Sequence, residues 1–363
     1  MRITPDMKNI VSLKSKPWAS FLARYILGGA IAYWLVHTDS IDLDVIGHID
    51  FRIAIVALGL VSIQFFLAGL RVSVLLKSAG INVSPWRCSL YNAVGIFFSI
   101  FLPGGISGDL ARAYYFLRCD TAKGISKAAV LGVLLTDRII GSAVMVMIGL
   151  GACTLVAGTL GIAVPLLLAI WIAFVVSCLI YLWLCRVDLR QWAVLNRGIF
   201  LSILGPLASL LSNMDLRSHS RKTLAISLSL SLGIHLSLIA LISSFADILK
   251  SGLSFWQIMG LAPFGLLVNM IPLSPGGLGI GEQGFQSLFA IAGGSQGGNT
   301  FLLSRIFFSS PALLGLLVLI QSFIKAHRVF RPREFDVPLH LTASASSSKD
   351  KVVTDSVRLL KND

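Results

Sequence analysis

Charged side chains are scarce in this chain. Asp, Glu, Lys and Arg make up 13% of its 363 residues, while 55% are hydrophobic. A soluble domain carries about 25% charged residues, so the composition excludes one and leaves an integral membrane protein. Acidic residues are the scarcer sign, 17 against 30 basic, for a net charge of +13. In a membrane protein that excess marks cytoplasmic loops, so nucleic acid is not an expected partner. The five cysteines (Cys88, Cys119, Cys153, Cys178, Cys185) show no CxxC or metal-ligand spacing, and reduced packing residues are expected. No nucleophile motif, nucleotide loop or soluble catalytic domain is visible. His37, His48, His219, His327 and His340 sit near span ends or in loops without ligand spacing. An enzyme is therefore disfavoured, although membrane-embedded transferases are motif-poor, and no cofactor or metal is expected. No apolar stretch precedes Trp18, so no cleaved signal peptide is expected.

What the chain does have is one phrase used twice. The first copy is Leu102-Pro103-Gly104-Gly105-Ile106-Ser107-Gly108-Asp109, the second Ser274-Pro275-Gly276-Gly277-Leu278-Gly279-Ile280-Gly281-Glu282. Each opens with a helix breaker, continues with glycines and ends in a carboxylate. Each lies between apolar runs too short to cross a bilayer comfortably. Each is followed by a long apolar segment with an arginine inside it, Arg138 and Arg305. Proline and glycine release backbone groups from helical pairing, and hydrocarbon cannot satisfy them. Such breaks belong where they are buried in protein or line a wet cavity, and two of them in corresponding halves point to a binding site. The alternative is a pair of glycine-rich loops outside the membrane.

Loop charges order the rest. Residues 1–17 are basic and expected in the cytoplasm. Residues 18–36 span outward, with Arg24 snorkelling back. The 38–50 loop holds four aspartates and no Lys or Arg, and is expected outside. Residues 51–76 return and end near Arg71 and Lys77. The unit 88–118 has basic residues at both ends, which predicts a re-entrant hairpin entered from inside. Residues 128–157 cross outward and 162–185 return. A basic connector, 186–222, carries a short apolar stretch expected to lie in the interface. Residues 223–246 cross outward, 257–293 form a second hairpin entered from outside, and 300–324 cross inward. The tail, 331–363, is expected to be disordered and cytoplasmic. The domains are thus 1–17, a first membrane half 18–185, the connector 186–222, a second half 223–330, and the tail. The fold class is an all-α integral membrane protein of about six full spans plus two re-entrant Pro-Gly-Gly hairpins in an inverted repeat, a design found in alternating-access transporters.

Candidate binding residues cluster around the breaks. Asp137 and Arg138 lie about 11 residues into their span, near mid-bilayer. Charges there face protein or water. Adjacent on a helix, they point about 100° apart and need not pair with each other. Arg138 is expected to meet Glu282 or a lipid phosphate, whose geometry suits an arginine fork; a structural ion pair between the halves is the alternative. Arg305 has the same two readings. Asp109 and Glu282 follow the turns, where a carboxylate either caps the return helix or serves as a cation site, a proton site or an arginine partner. The exposed amides of the two Pro-Gly-Gly turns, the N–H groups of Gly104 and Gly105 after Pro103 and of Gly276 and Gly277 after Pro275, present an anion-binding surface. Asn92 and Asn269 either bond freed carbonyls or touch substrate. Arg112 belongs to the first return helix. His235, among serines in mid-span, reads as a packed hydrogen-bonding residue rather than a relay.

Together the phrases Pro103-Gly-Gly-Ile-Ser-Gly-Asp109-Leu-Ala-Arg112-Ala-Tyr, Thr136-Asp137-Arg138-Ile-Ile-Gly141, Pro275-Gly-Gly-Leu-Gly-Ile-Gly-Glu282 and Arg305 followed by Pro311-Ala-Leu-Leu-Gly315 resemble the lysylphosphatidylglycerol synthase transmembrane-region family. The resemblance covers roughly residues 15–330. It implies a flippase-like, lipid-binding or lipid-translocating membrane domain. Some relatives follow this domain with an aminoacyltransferase; about 30 residues follow the last basic cluster here, and synthase activity is not expected. Two departures stand out: Gly281 where the family often has arginine, and Val72 where tryptophan often follows Arg71.

The expected function is carriage of a lipid or lipid-linked substrate across the cytoplasmic membrane, with both termini in the cytoplasm. The alternatives are a non-transporting subunit that scaffolds a lipid or glycan biosynthesis enzyme, and a membrane-embedded transferase. Expected partners are membrane lipids, with such biosynthesis enzymes or a second copy of the chain as open alternatives. The topology is testable in a cysteine-free background. Cysteines placed at Ser40 and Gln296 should react with impermeant maleimide in intact cells, and those at Thr121 and Ser218 only after lysis. Labelling of position 121 from outside would refute the inverted arrangement.

Overall fold

The structure is a computed structural model that describes residues 43–101, 107–119, 127–160, 168–177, 220–271 and 274–329, with a few isolated positions besides. The N-terminal segment 1–17, most of the first expected span, the Pro103-Gly104-Gly105 turn, nearly all of the connector and the tail lie outside them. Every regular element among the described residues is helical. The chain divides into two units, residues 1–318 and 319–363. The first holds everything that follows. The second is described only from 319 to 329, the end of the last helix.

The first described half runs α1 (Phe51–Ser78), α2 (Pro85–Phe101), α3 (Ser107–Leu117) and α4 (Lys127–Leu155). The second runs α5 (Arg221–Ile248), α6 (Phe255–Asn269), α7 (Ile280–Ile291), α8 (Gly297–Phe308) and α9 (Ala312–Val329). Short helical turns cover Leu43–His48 and Ala157–Leu160, and an apolar helix covers Leu168–Ser177. Among the described residues, four segments are long and apolar enough to cross a membrane: α1, Ala129–Leu155 of α4, α5, and Gly297–Ile324. The last is not one straight helix. It bends over residues 309–311, where Pro311 has no N–H to donate.

The two halves use the same local devices. Asp50 and Ser220 cap the N-termini of α1 and α5 through their side chains. Both helices end in the same wrap: Ile81 N–H reaches Leu76 O and Ser251 N–H reaches Ala246 O, each at 2.9 Å. The intervening residues, Gly80 and Lys250, take positive φ, as this closure requires. After a short linker, α2 and α6 start. The two long helices α1 and α5 lie against each other, with Ala57, Val61, Leu241 and Phe245 buried between them. The shorter helices pack crosswise. α6 rests on α4, where Gly149 leaves room for Pro263 and Phe264. α2 touches the start of α9 at one point, where Gly315 lies so close that any Cβ would strike the Ala93 carbonyl. Phe285, Phe289 and Phe301 fill the second half, with Phe285 and Phe301 stacked at 4.3 Å. Large apolar side chains such as Phe51, Ile55 and Phe66 on α1 face outward, as lipid-facing residues must. The protein is a multi-pass α-helical membrane protein.

Crosswise packing makes the glycine contacts sensitive to one added methyl. Gly315→Ala should destabilise the protein by about 1–3 kcal/mol, the usual cost of overpacking. Gly151→Ala, whose added carbon meets nothing within 4 Å, should leave the melting temperature unchanged or slightly raised. Thermal unfolding in detergent distinguishes the two.

Candidate functional site

Two polar networks lie where the half-length helices end, one in each half. The second is the more closed. α6 ends at Asn269, and Met270 N–H closes its last turn on Leu266 O. The chain then turns through Pro275–Gly277, with φ of 59° at Gly276, 72° at Gly277 and 80° at Gly279. Glycine is the residue that takes such values at no steric cost. At Gly277 it is needed twice over, because a Cβ would collide with Asn269. The turn strips two carbonyls of helical partners, and Arg305 from α8 replaces them. Its guanidinium donates to the carbonyls of Gly276 and, at 3.1 Å, of Gly277. It also donates to Asn269 Oδ1 at 2.8 Å and to both Glu282 oxygens at 2.6 and 3.2 Å. Glu282, only 1% exposed, accepts the Gly279 N–H at 2.8 Å as well, so it caps α7 while neutralising Arg305. Arg305 rests over the Phe301 ring at 4.8 Å.

The first network joins α1, α2, α3, α4 and α5. Asp137, 2% exposed, takes Arg71 Nε at 2.7 Å and Arg112 Nη1 at 3.3 Å. Arg71 also donates to Ser231 Oγ at 2.8 Å, and Arg112 to Asn92 Oδ1 at 3.1 Å. Asp109, in the first turn of α3, takes Arg112 Nη2 at 2.8 Å. Both Asp109 oxygens also accept from Arg138: Nε at 3.1 Å to each, and Nη2 at 2.9 Å to Oδ1. Arg138 therefore pairs with Asp109 on the neighbouring α3, not with Glu282, which Arg305 saturates. His235 Nε2 lies 2.9 Å from the Gly141 carbonyl, a packed hydrogen-bonding position.

Arg71 is the residue whose place the sequence misrepresents. It reads as a charge near the inner end of a span. In the structure α1 continues to Ser78, and Arg71 is buried against α4 and α5. The signal for it is Gly141, one turn beyond Asp137: a Cβ there would sit 3.0 Å from the Arg71 guanidinium. Asp137 and Gly141 share a face of α4 and together form a slot for an arginine.

Both networks border one cavity of about 440 Å³. Arg71, Asn92, Arg112, Asp137, Arg138, Asn269, Gly276 and Arg305 all line it, together with Gln64. The second turn reaches the end of α2 here, with Gly276 against Ile100. The networks differ in charge. The second balances one arginine with one carboxylate. Among the described residues, the first has three guanidiniums and two carboxylates, and its surplus falls on Arg138, whose side chain is 45% exposed. Among the described residues, the buried Arg112 Nε and Gln64 Nε2 have no hydrogen-bond partner. Both are donors.

Compared with known protein families, residues 21–318 match the lysylphosphatidylglycerol synthase TM region. The chain belongs to the lysylphosphatidylglycerol synthase transmembrane-region family. Comparison with curated proteins gave no match. Gly281 is packed against the Phe301 ring, Asn269 Oδ1 and the Arg305 guanidinium. A side chain there would displace the group that holds the turn. Among the described residues, no group of three or more His, Cys, Asp or Glu is placed to hold a metal ion.

Removing Arg305 strands Glu282 in the interior, whereas removing Arg138 leaves Asp109 on Arg112. Arg305→Gln should therefore cost roughly 3–5 kcal/mol, visible as a large fall in melting temperature. Arg305→Gln with Glu282→Gln should recover much of it. Arg138→Gln should change stability little, because its pair is exposed. Equal losses in the two single variants would contradict this division.

Proposed function

We propose that this protein binds the phosphate-bearing headgroup of a lipid or lipid-linked substrate in the central cavity and carries it across the cytoplasmic membrane. The observation that carries the reading is the surplus guanidinium. Arg138 is half exposed, borders the cavity and belongs to a network one carboxylate short of neutrality. An anionic headgroup supplies the missing charge, and a phosphate presents paired oxygens to an arginine fork. Arg305 has the other role: it holds the second turn in shape.

In this reading α2–α3 and α6–α7 are re-entrant hairpins entering from opposite faces, and the two halves are an inverted repeat with both termini in the cytoplasm. The contact of Gly276 with Ile100 supports a meeting of the hairpins inside the protein. Polar cavity walls flanked by lipid-facing helices give a headgroup a path while its tails stay in hydrocarbon. The protein moves its substrate without making or breaking bonds.

Reconstitution tests the proposal. Vesicles of phosphatidylcholine and phosphatidylglycerol carrying a fluorescent phospholipid are treated with dithionite, which bleaches only the outer leaflet. Vesicles with the full chain should bleach beyond half. Arg138→Gln should slow the inner-leaflet phase roughly ten- to hundredfold, the value of a charge-assisted contact. Bleaching equal to that of empty vesicles would refute transport of these lipids.

A further inference from the structure

We infer that Asp109 is an internal competitor for the anion subsite of Arg138, and that its carboxylate sets which anions enter. This rests on the reading of Arg138 given above. Both Asp109 oxygens face Arg138, at 2.9 to 3.1 Å. That is the fork geometry a phosphate would use. The carboxylate thus holds the place of the ligand's two oxygens.

The exchange strands no charge. Asp109 has a second partner, Arg112, one turn along the same helix at 2.8 Å. Arg112 is held in turn by Asn92 and Asp137. When a ligand takes Arg138, Asp109 stays neutralised by Arg112, and α3 stays joined to α4 through Arg112 and Asp137. The two side chains are 45% and 28% exposed, so breaking their pair costs little. The second half lacks this property. Among the described residues Glu282 has no second arginine, and its pair with Arg305 is buried. The halves are therefore unequal: one holds a replaceable counter-ion, the other a fixed one. A ligand must displace a two-oxygen anion, which favours a phosphodiester over a halide.

The test uses the full chain in detergent micelles, with dioctanoylphosphatidylglycerol as probe and calorimetry as readout. Asp109→Asn should bind about threefold more tightly than the unaltered protein, on the scale of one exposed ion pair. Asp109→Glu, which keeps the carboxylate, should bind as the unaltered protein does. Arg138→Gln should lose about tenfold or more. If Arg138→Gln weakens binding but Asp109→Asn binds equally or less tightly, the competitor role is wrong and the anion reading of Arg138 stands. If Arg138→Gln binds normally, the anion reading falls and the competitor role with it. Asp109→Ser repeats the test should Asp109→Asn fail to fold. Failure of both to fold would make Asp109 structural and overturn the inference.

Discussion

Arg305 donates to the carbonyls of Gly276 and Gly277, groups that the turn has withdrawn from helical pairing. Backbone polar groups turned into the protein away from water need partners, so the broken helix draws its donors from its own chain. Much of the second half follows from that need. A guanidinium serves two carbonyls at once, but it brings a charge, and the charge requires Glu282. Glu282 stands in the first turn of α7, where it also caps the helix. Asn269, at the end of α6, takes another donor. Glycines at 276, 277 and 279 permit the backbone path, and Gly281 leaves space for the guanidinium.

The first half carries more charge. Three arginines and two aspartates tie five helices together, and the arrangement leaves one guanidinium half exposed beside the cavity. A carboxylate and an arginine therefore form a closed clasp in the second half, while in the first they leave a half-exposed guanidinium beside the cavity. Packing across the halves brings them to one cavity: α6 rests on α4, and the second turn meets the end of α2. The glycine contacts at 149 and 315 allow that approach.

Much of this was legible in the sequence. The paired Pro-Gly-Gly phrases marked the breaks, because few chemistries explain proline and glycines flanked by apolar runs. Asp137, Arg138 and Arg305 stand out as charges inside long apolar runs, and Asp109 and Glu282 as the carboxylates that end the two phrases. Partner choice was not legible. Glu282 seemed open to Arg138, yet it belongs to Arg305, because pairing depends on how helices are rotated and crossed, which hydropathy does not encode. Arg71 was read as an end-of-helix charge because Lys77 lies near it. Its burial depends on Asp137, 66 residues away in the chain. The bend at 309–311 was passed over because the residues around it are apolar enough to read as one span.

The central claim is that Arg138, and not Arg305, meets the lipid phosphate. A solid-state NMR measurement of carbon–phosphorus dipolar coupling addresses it directly. Arginine Cζ is labelled in the reconstituted protein and assigned by comparison with Arg138→Gln and Arg305→Gln. A guanidinium bonded to phosphate oxygens holds its Cζ within about 4–5 Å of phosphorus. The account predicts strong dephasing of the Arg138 signal and none at Arg305. Dephasing at Arg305 with none at Arg138 would contradict it.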